Sequence, residues 1–346
     1  MRRHLNTLYV TTQGAWLNKD GENVVVSVEN VERGRVPIHT IGGIIGFGRV
    51  LVSSPLLGAC CAAGISVHYL TEEGRFLARV EGPVSGNVLL RRTQYRWADD
   101  TARRDAIIKS IVAGKILNQR SVLTRAGRDH GGTMEGADRD ALSAAADRLA
   151  GIVKRTEKPL DGDQLRGAEG EAGQVYFSVF DHLVRGDKPL FAFKGRSRRP
   201  PLDATNALLS FAYALLTSDV RGALESVGLD PAVGYLHVDR PGRPSLALDL
   251  MEEFRPYFAD RLVLSLINRR QLGAKDFKTL DNGATLLTDD GRKTVLVAYQ
   301  ERKRDEIQHP FLDEKITVGL LWFVQAQLLA RHLRGDLDAY PPFIWK

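Results

Sequence analysis

The chain has 346 residues, 48 Lys and Arg against 42 Asp and Glu, and a formal charge of +6. That length allows a full core and about two domains, and hydrophobic and charged fractions of 43% and 26% are ordinary for a globular protein. No apolar run is long enough for a membrane helix, and Met1, Arg2, Arg3, His4 and Leu5 lead into polar residues rather than a signal core, so a cytoplasmic protein with no membrane partner is expected.

The first part reads as strands. Thr7–Thr11 and Asn23–Val28 are rich in β-branched and aromatic residues, with Asn18–Gly21 as turn chemistry between them. Arg35–His39 is a short strand that Pro37 confines to an edge or an end. Ser54–Gly64 predicts a short helix with Pro55 in its first turn. It carries Cys60 and Cys61, the only cysteines. Adjacent cysteines make poor disulfide partners, and two thiols are too few for a thiolate zinc site, so both are read as small apolar residues. Ile65–Leu70 and Phe76–Val80 follow as strands around a turn at Glu72, Glu73 and Gly74.

Gly82, Pro83, Ser85 and Gly86 break the strand pattern, and helical texture follows. Thr101–Arg125 repeats Ile107, Ile108, Ile111, Val112 and Ile116 at helical spacing. After a polar loop at 127–136, helices are predicted over Asp138–Val153, Ala168–Leu183, Asn206–Leu216, Leu246–Phe254 and Ile316–Leu333. A β hairpin is predicted from Ala284–Thr288 and Thr294–Ala298 around Asp289, Asp290 and Gly291. The expected fold class is α+β. A small N-terminal β-rich domain (1–82) is followed by a linker (83–100) and a larger, mostly α-helical domain (101–346).

Basic residues cluster at Lys194, Arg196, Arg198 and Arg199, at Arg302, Lys303 and Arg304, and around Tyr95 and Trp97. Any one such cluster is usually a solvated face, but three together favour a polyanionic partner. The richest chemistry lies in Gly234–Pro256. A helix starting near Ser245 and stopping or kinking at Pro256 sets Asp249, Glu252 and Glu253 on one face, with His237 upstream able to fold back beside them. Acids so spaced need a positive partner. Salt bridges from Arg255 and Arg261 across an exposed face are the commoner answer, while carboxylates with one imidazole also suit manganese or magnesium. A second acidic segment holds Glu169 and Glu171 among Gly167, Gly170 and Gly173. Glu169 reads there as the start of a helix, and spacing does not choose between the two glutamates. A two-carboxylate glycoside hydrolase and a catalytically silent DNA scaffold are the competing classes.

Taken in order, the β-rich start, Val112–Arg120, Leu165–Gly170, Arg199–Ser210, His237–Pro256 and Tyr340–Phe343 resemble the CRISPR-associated adaptation integrase family, the first of the numbered Cas proteins. The resemblance covers nearly the whole chain and is strongest to the subtype I-C branch. It implies a divalent-metal-dependent DNA endonuclease and integrase, using Mn2+ or Mg2+ and joining 3′-hydroxyl ends of short DNA fragments into the CRISPR repeat by transesterification. It implies Glu169, His237 and Glu252 as metal ligands and Asp249 as a further catalytic residue. Glu252 stands where some members carry aspartate. Arg255 falls where relatives carry a basic residue, and Arg196, Arg198, Arg199 and Arg255 become candidates for DNA contact. The implied partners are double-stranded DNA, a second copy of the chain dimerising through the N-terminal domain, and the small second Cas protein, in a heterohexamer of two dimers around one central dimer.

Overall fold

A computed structural model describes residues 6–82, 88–130, 132 and 134–345, with only the backbone of His130. The expected breaks at Pro83, Ser85 and Gly86, the first five residues and parts of the 127–136 loop lie outside the described residues. In chain order, β1 (Asn6–Val10), β2 (Ala15–Asp20), β3 (Asn23–Val28), β4 (Val31–Pro37), β5 (Ile41–Phe47), β6 (Val50–Val52), α1 (Ser54–Ala63), β7 (Ser66–Leu70) and β8 (Phe76–Val80) form the β-rich part. They make two four-stranded sheets, β1-β5-β7-β8 and β4-β3-β2-β6. Pairs β1–β5, β5–β7 and β2–β6 are parallel, and the others are antiparallel. A shared core of Leu17, Val24, Ile41, Ile44, Leu56 and Val67 includes Cys60, and both thiols are free. Gly64 closes α1 in the left-handed region at φ 67°, where a side chain would be strained.

Strand β5 explains how this part meets the rest. Ile44 faces the β-rich core, whereas Ile45 and Phe47 point the other way into the helical core. Alternation of side chains across a strand makes this possible only for a strand apolar on both faces.

The helical part holds α2 (Val88–Asp99), α3 (Thr101–His130), α4 (Gly136–Thr156), α5 (Gly162–Ser178), the one-turn α6 (Lys188–Phe191), α7 (Ala204–Ser226), α8 (Ser245–Met251) and α9 (Arg261–Asn268). Short hairpins β9 (Phe277–Thr279) with β10 (Thr285–Leu287), and β11 (Glu306–Gln308) with β12 (Lys315–Thr317), flank α10 (Asp289–Arg302), and α11 (Leu321–Leu333) follows. Among the described residues, no helix is long and apolar enough to cross a membrane. The α+β class stands: a β-rich region followed by a mostly helical one.

Several boundaries differ from expectation. Most of the expected linker is α2, whose Gln94 is buried and bonds to the Asp230 and Val233 carbonyls. Helix α3 runs on to His130, through the start of the expected loop. The expected second strand at 294–298 is helix. Thr288 caps α10 by accepting from Gly291 N at 3.3 Å, and Asp289 and Asp290 favour its positive N-terminal end. The true partner of Thr285–Leu287 is β9.

Candidate metal centre

Segments far apart in the chain converge on one cleft of about 500 Å³. Helix α3 supplies Lys115 and Gln119, α5 supplies Glu169, and the loop before α8 supplies His237. Glu252, Arg255 and Asp260 follow the end of α8.

Glu169 does not begin its helix. Asp161 caps α5 in a reciprocal box with Gln164, at 2.8 and 3.1 Å, and Glu169 lies two turns farther on. Glu169 lines the cleft, whereas Glu171 pairs with Arg155 of α4. The rotation of the helix thus turns Glu169 toward the cleft and Glu171 toward α4. Gly170 and Gly173 also line the cleft, and an added Cβ at either would meet nothing within 4 Å. These glycines keep the cleft wide rather than serving close packing.

His237 is held by Asp249. The Asp249 carboxylate accepts from the backbone N–H groups of Tyr235, Leu236 and His237 at 2.6, 3.0 and 2.9 Å, and its Oδ1 meets His237 Nδ1 at 2.7 Å. The loop can wrap this closely because residue 234 is glycine. A Cβ there would sit 2.7 Å from the Ser245 carbonyl carbon and 2.8 Å from Asp249 Oδ2. With Nδ1 turned to Asp249, the other ring nitrogen Nε2 faces the cleft and approaches Glu252 Oε1 at 4.0 Å.

The three acids do not form an exposed face. Asp249, Glu252 and Glu253 are all buried, each with its own partners. Helix α8 ends at Met251, so Glu252 and Glu253 leave the regular spiral. Glu253 turns away from the cleft, accepting from Tyr340 OH at 2.7 Å, Phe343 N at 2.7 Å and Gln325 Nε2 at 3.0 Å. Burial pushes its carboxyl up to about 8, against those hydrogen bonds. Arg261 pairs with none of the three and stacks over Trp345 at 4.1 Å.

Burial raises the Glu252 carboxyl too, but Arg255, then Lys115 and His237, outweigh it and hold it below its ordinary range. Arg255 Nη2 forms an ion pair with Glu252 Oε1 at 3.1 Å, and Lys115 Nζ lies 2.6 Å from Oε2 and also contacts Glu169. Despite that ion pair, Oε2 accepts no well-directed hydrogen bond. The ammonium stands between the Glu169 and Glu252 carboxylates. Among the described residues, no three His, Cys, Asp or Glu side chains form a ready-made ligand cluster. Two carboxylates and one imidazole nitrogen nevertheless face the same cleft, a donor set of the hard type that suits a divalent ion.

The walls are cationic. Lys115, Lys194, Arg196, Arg198 and Arg255 line the cleft against Glu169, Glu252 and Asp260. Arg196 and Arg255 lie over the ring of Tyr213, at 5.2 and 4.8 Å, and Tyr213 OH donates to Asp260 Oδ1 at 2.6 Å. Burial raises the Asp260 carboxyl to about 6. Arg199 is exposed and does not line the cleft. Spacing alone missed Lys115, Tyr213 and Asp260. Lys115 did carry a signal, because a lysine between Val112 and Ile116 falls on the buried face of α3 and needs an acid opposite.

A family model described as CRISPR associated protein Cas1 matches residues 8–301. The chain is 60% identical to CRISPR-associated endonuclease Cas1 2 of Rhodospirillum rubrum and 56% identical to CRISPR-associated endonuclease Cas1 1 of Chlorobaculum tepidum, each over 100% of both chains. A solved CAS1 protein from Thermotoga maritima superposes with a TM-score of 0.80 at 25% identity, over 96% of this chain and 97% of that one. Full-length identity at this level and the shared fold lead to one conclusion: the chain belongs to the Cas1 family of CRISPR-associated proteins.

Proposed function

We propose that this protein is a divalent-metal-dependent DNA endonuclease and integrase of CRISPR adaptation, joining the 3′-hydroxyl of a short DNA fragment to the CRISPR repeat by transesterification. The observation that carries this reading is the convergence of Glu169, Glu252 and His237 Nε2 on a cleft with cationic walls. The endonuclease names of the full-length relatives support the reaction class.

Glu169, Glu252 and His237 would hold Mn2+ or Mg2+, and the buried Glu252 Oε2, short of a directed hydrogen bond, fits that role. When bound, the ion supplies Lewis-acid polarisation of a phosphoryl oxygen. Asp249 fixes the His237 ring so that Nε2 is the nitrogen presented to the cleft. Arg196 and Arg255, stacked on Tyr213, are set to meet phosphate oxygens, and Arg198 adds charge at the wall. One phosphodiester replaces another, so joining needs no nucleotide cofactor. With water in place of the 3′-hydroxyl, the same site cleaves DNA.

We assign the β-rich part to dimerisation and DNA contact and the helical part to catalysis. Trp16 and Leu51 are in register on β2 and β6 and are 46% and 67% exposed, which supports pairing with a second copy. The small second Cas protein is the further proposed partner, flanked by two such dimers, and the subtype I-C assignment rests on the sequence resemblance. Incubation with branched and linear DNA, with Mn2+ or with chelator, tests the function. Metal-dependent cleavage and joining are expected, with both lost in Glu252→Ala. Joining that survives chelation, or that survives Glu252→Ala, would overturn the reading.

A further inference from the structure

Lys115 occupies an unusual position for a lysine. Its side chain is 8% exposed, and its ammonium contacts Glu169 and Glu252 together. These are the two carboxylates assigned above to the metal, so the role inferred for Lys115 rests on that assignment. Burial works against the charged form of Lys115, and the two glutamates more than restore it. Arg255, the other cation on Glu252, is pinned over Tyr213. Lys115 has no such clamp and carries a compact charge on a flexible stem.

A divalent ion and this ammonium cannot share the same carboxylate oxygens at bonding distance, because two cations so close in a poorly screened site repel strongly. One must leave, and the structure offers a destination. Gln119 lies one helical turn on from Lys115, on the same face of α3 and in the same cleft. It is 1% exposed, yet its Oε1 has no hydrogen-bond partner. A buried amide oxygen without a donor is costly unless another state of the protein uses it.

We propose that Lys115 is a built-in counter-cation, holding Glu169 and Glu252 together in the metal-free protein and withdrawing toward Gln119 and the cleft when the divalent ion binds. The lysine thus acts as a positioning residue. It keeps two buried carboxylates from repelling each other before loading, and it weakens metal affinity by competing for the same oxygens. After withdrawal its charge stays in the cleft that Arg196, Arg198 and Arg255 also line.

The test is calorimetric titration of Mn2+ into the full-length protein, with melting temperatures read in chelator and in Mn2+. Lys115→Gln is expected to lower the metal-free melting temperature, to raise Mn2+ affinity on the order of tenfold, and to enlarge the metal-induced rise in melting temperature. A merely structural lysine would give the opposite result, since damage to the site lowers affinity. Lys115→Arg keeps the charge and serves if the glutamine variant does not fold. It should retain metal-free stability and bind Mn2+ no more tightly than the wild type. Gln119→Leu should weaken Mn2+ binding severalfold, and unchanged affinity would overturn Gln119 as the destination. Wild-type binding that Glu252→Ala abolishes but Lys115→Gln fails to strengthen, or tighter binding in Lys115→Arg, would overturn the inference alone. A wild type that binds no Mn2+, or binds it equally well as Glu252→Ala, would overturn the metal centre and this inference with it.

Discussion

At the scale of single residues, Asp249 has the most to lose. Its two oxygens receive three backbone N–H groups and the His237 ring. An amide offers one oxygen in their place and turns its NH2 toward donors. Asp249→Asn should therefore leave at least one buried N–H unpaired, at about 1–3 kcal/mol of stability, and release the His237 ring, lowering Mn2+ affinity roughly 10–100-fold. Urea unfolding and metal titration check the two effects separately, and a variant matching the wild type in both would contradict this role. The spacing of Asp249, Glu252 and Glu253 beside His237 was visible in the sequence as a chemical cluster. Their separate fates were not visible. Glu253 is satisfied by Tyr340 and Phe343, and Glu252 by Lys115 from α3, partners that only the tertiary fold brings near.

At the scale of elements, the sequence pattern was readable in some buried elements and not in others. Helix α3 was legible from its isoleucines. Strand β5 was not, because its inward residues serve two cores and no alternation remains. Its neighbour β7 is also buried on both faces and carries His68 at 2% exposure, with Phe76 beside it and Arg221 nearby. Burial, aided by Arg221, pushes the His68 ring from 6.5 down to about 4. A folded-state value below the unfolded one means that folding favours the neutral ring. The stability is fully present above pH 6.5 and is lost as pH falls from 6.5 toward about 4, to the extent of about 3 kcal/mol. Urea midpoints at pH 7.5 and 4.5 should show a smaller acid loss in His68→Gln than in the wild type, and an equal loss would assign the effect to other groups. The misread hairpin has a different cause. Val295 and Val297 suit a strand, but the cap at Thr288 and the acids after it start a helix first.

At the scale of the whole molecule, the order of a β-rich part and a helical part was legible from texture alone, but their junction was not. Beyond the two-faced β5, it is fastened by Lys303. Its buried ammonium meets Asp219 Oδ2 at 3.0 Å and Thr7 Oγ1 at 3.3 Å, while Tyr299 OH donates to the same Asp219 oxygen at 2.9 Å. Asp219→Ala strands a buried ammonium, and a loss of about 3–5 kcal/mol is expected in denaturant unfolding. A loss below about 1 kcal/mol would mean that the junction does not depend on this pair. The cleft has the same long-range character, since its lining runs from Lys115 to Asp260 and is assembled only when α3, α5 and the residues after α8 pack together. The most direct test of the metal centre is anomalous difference density from a crystal soaked in Mn2+. The expected result is one peak within bonding distance of the Glu169 and Glu252 carboxylates and His237 Nε2, with the Lys115 ammonium withdrawn. A peak elsewhere, or none at saturating Mn2+, would contradict it.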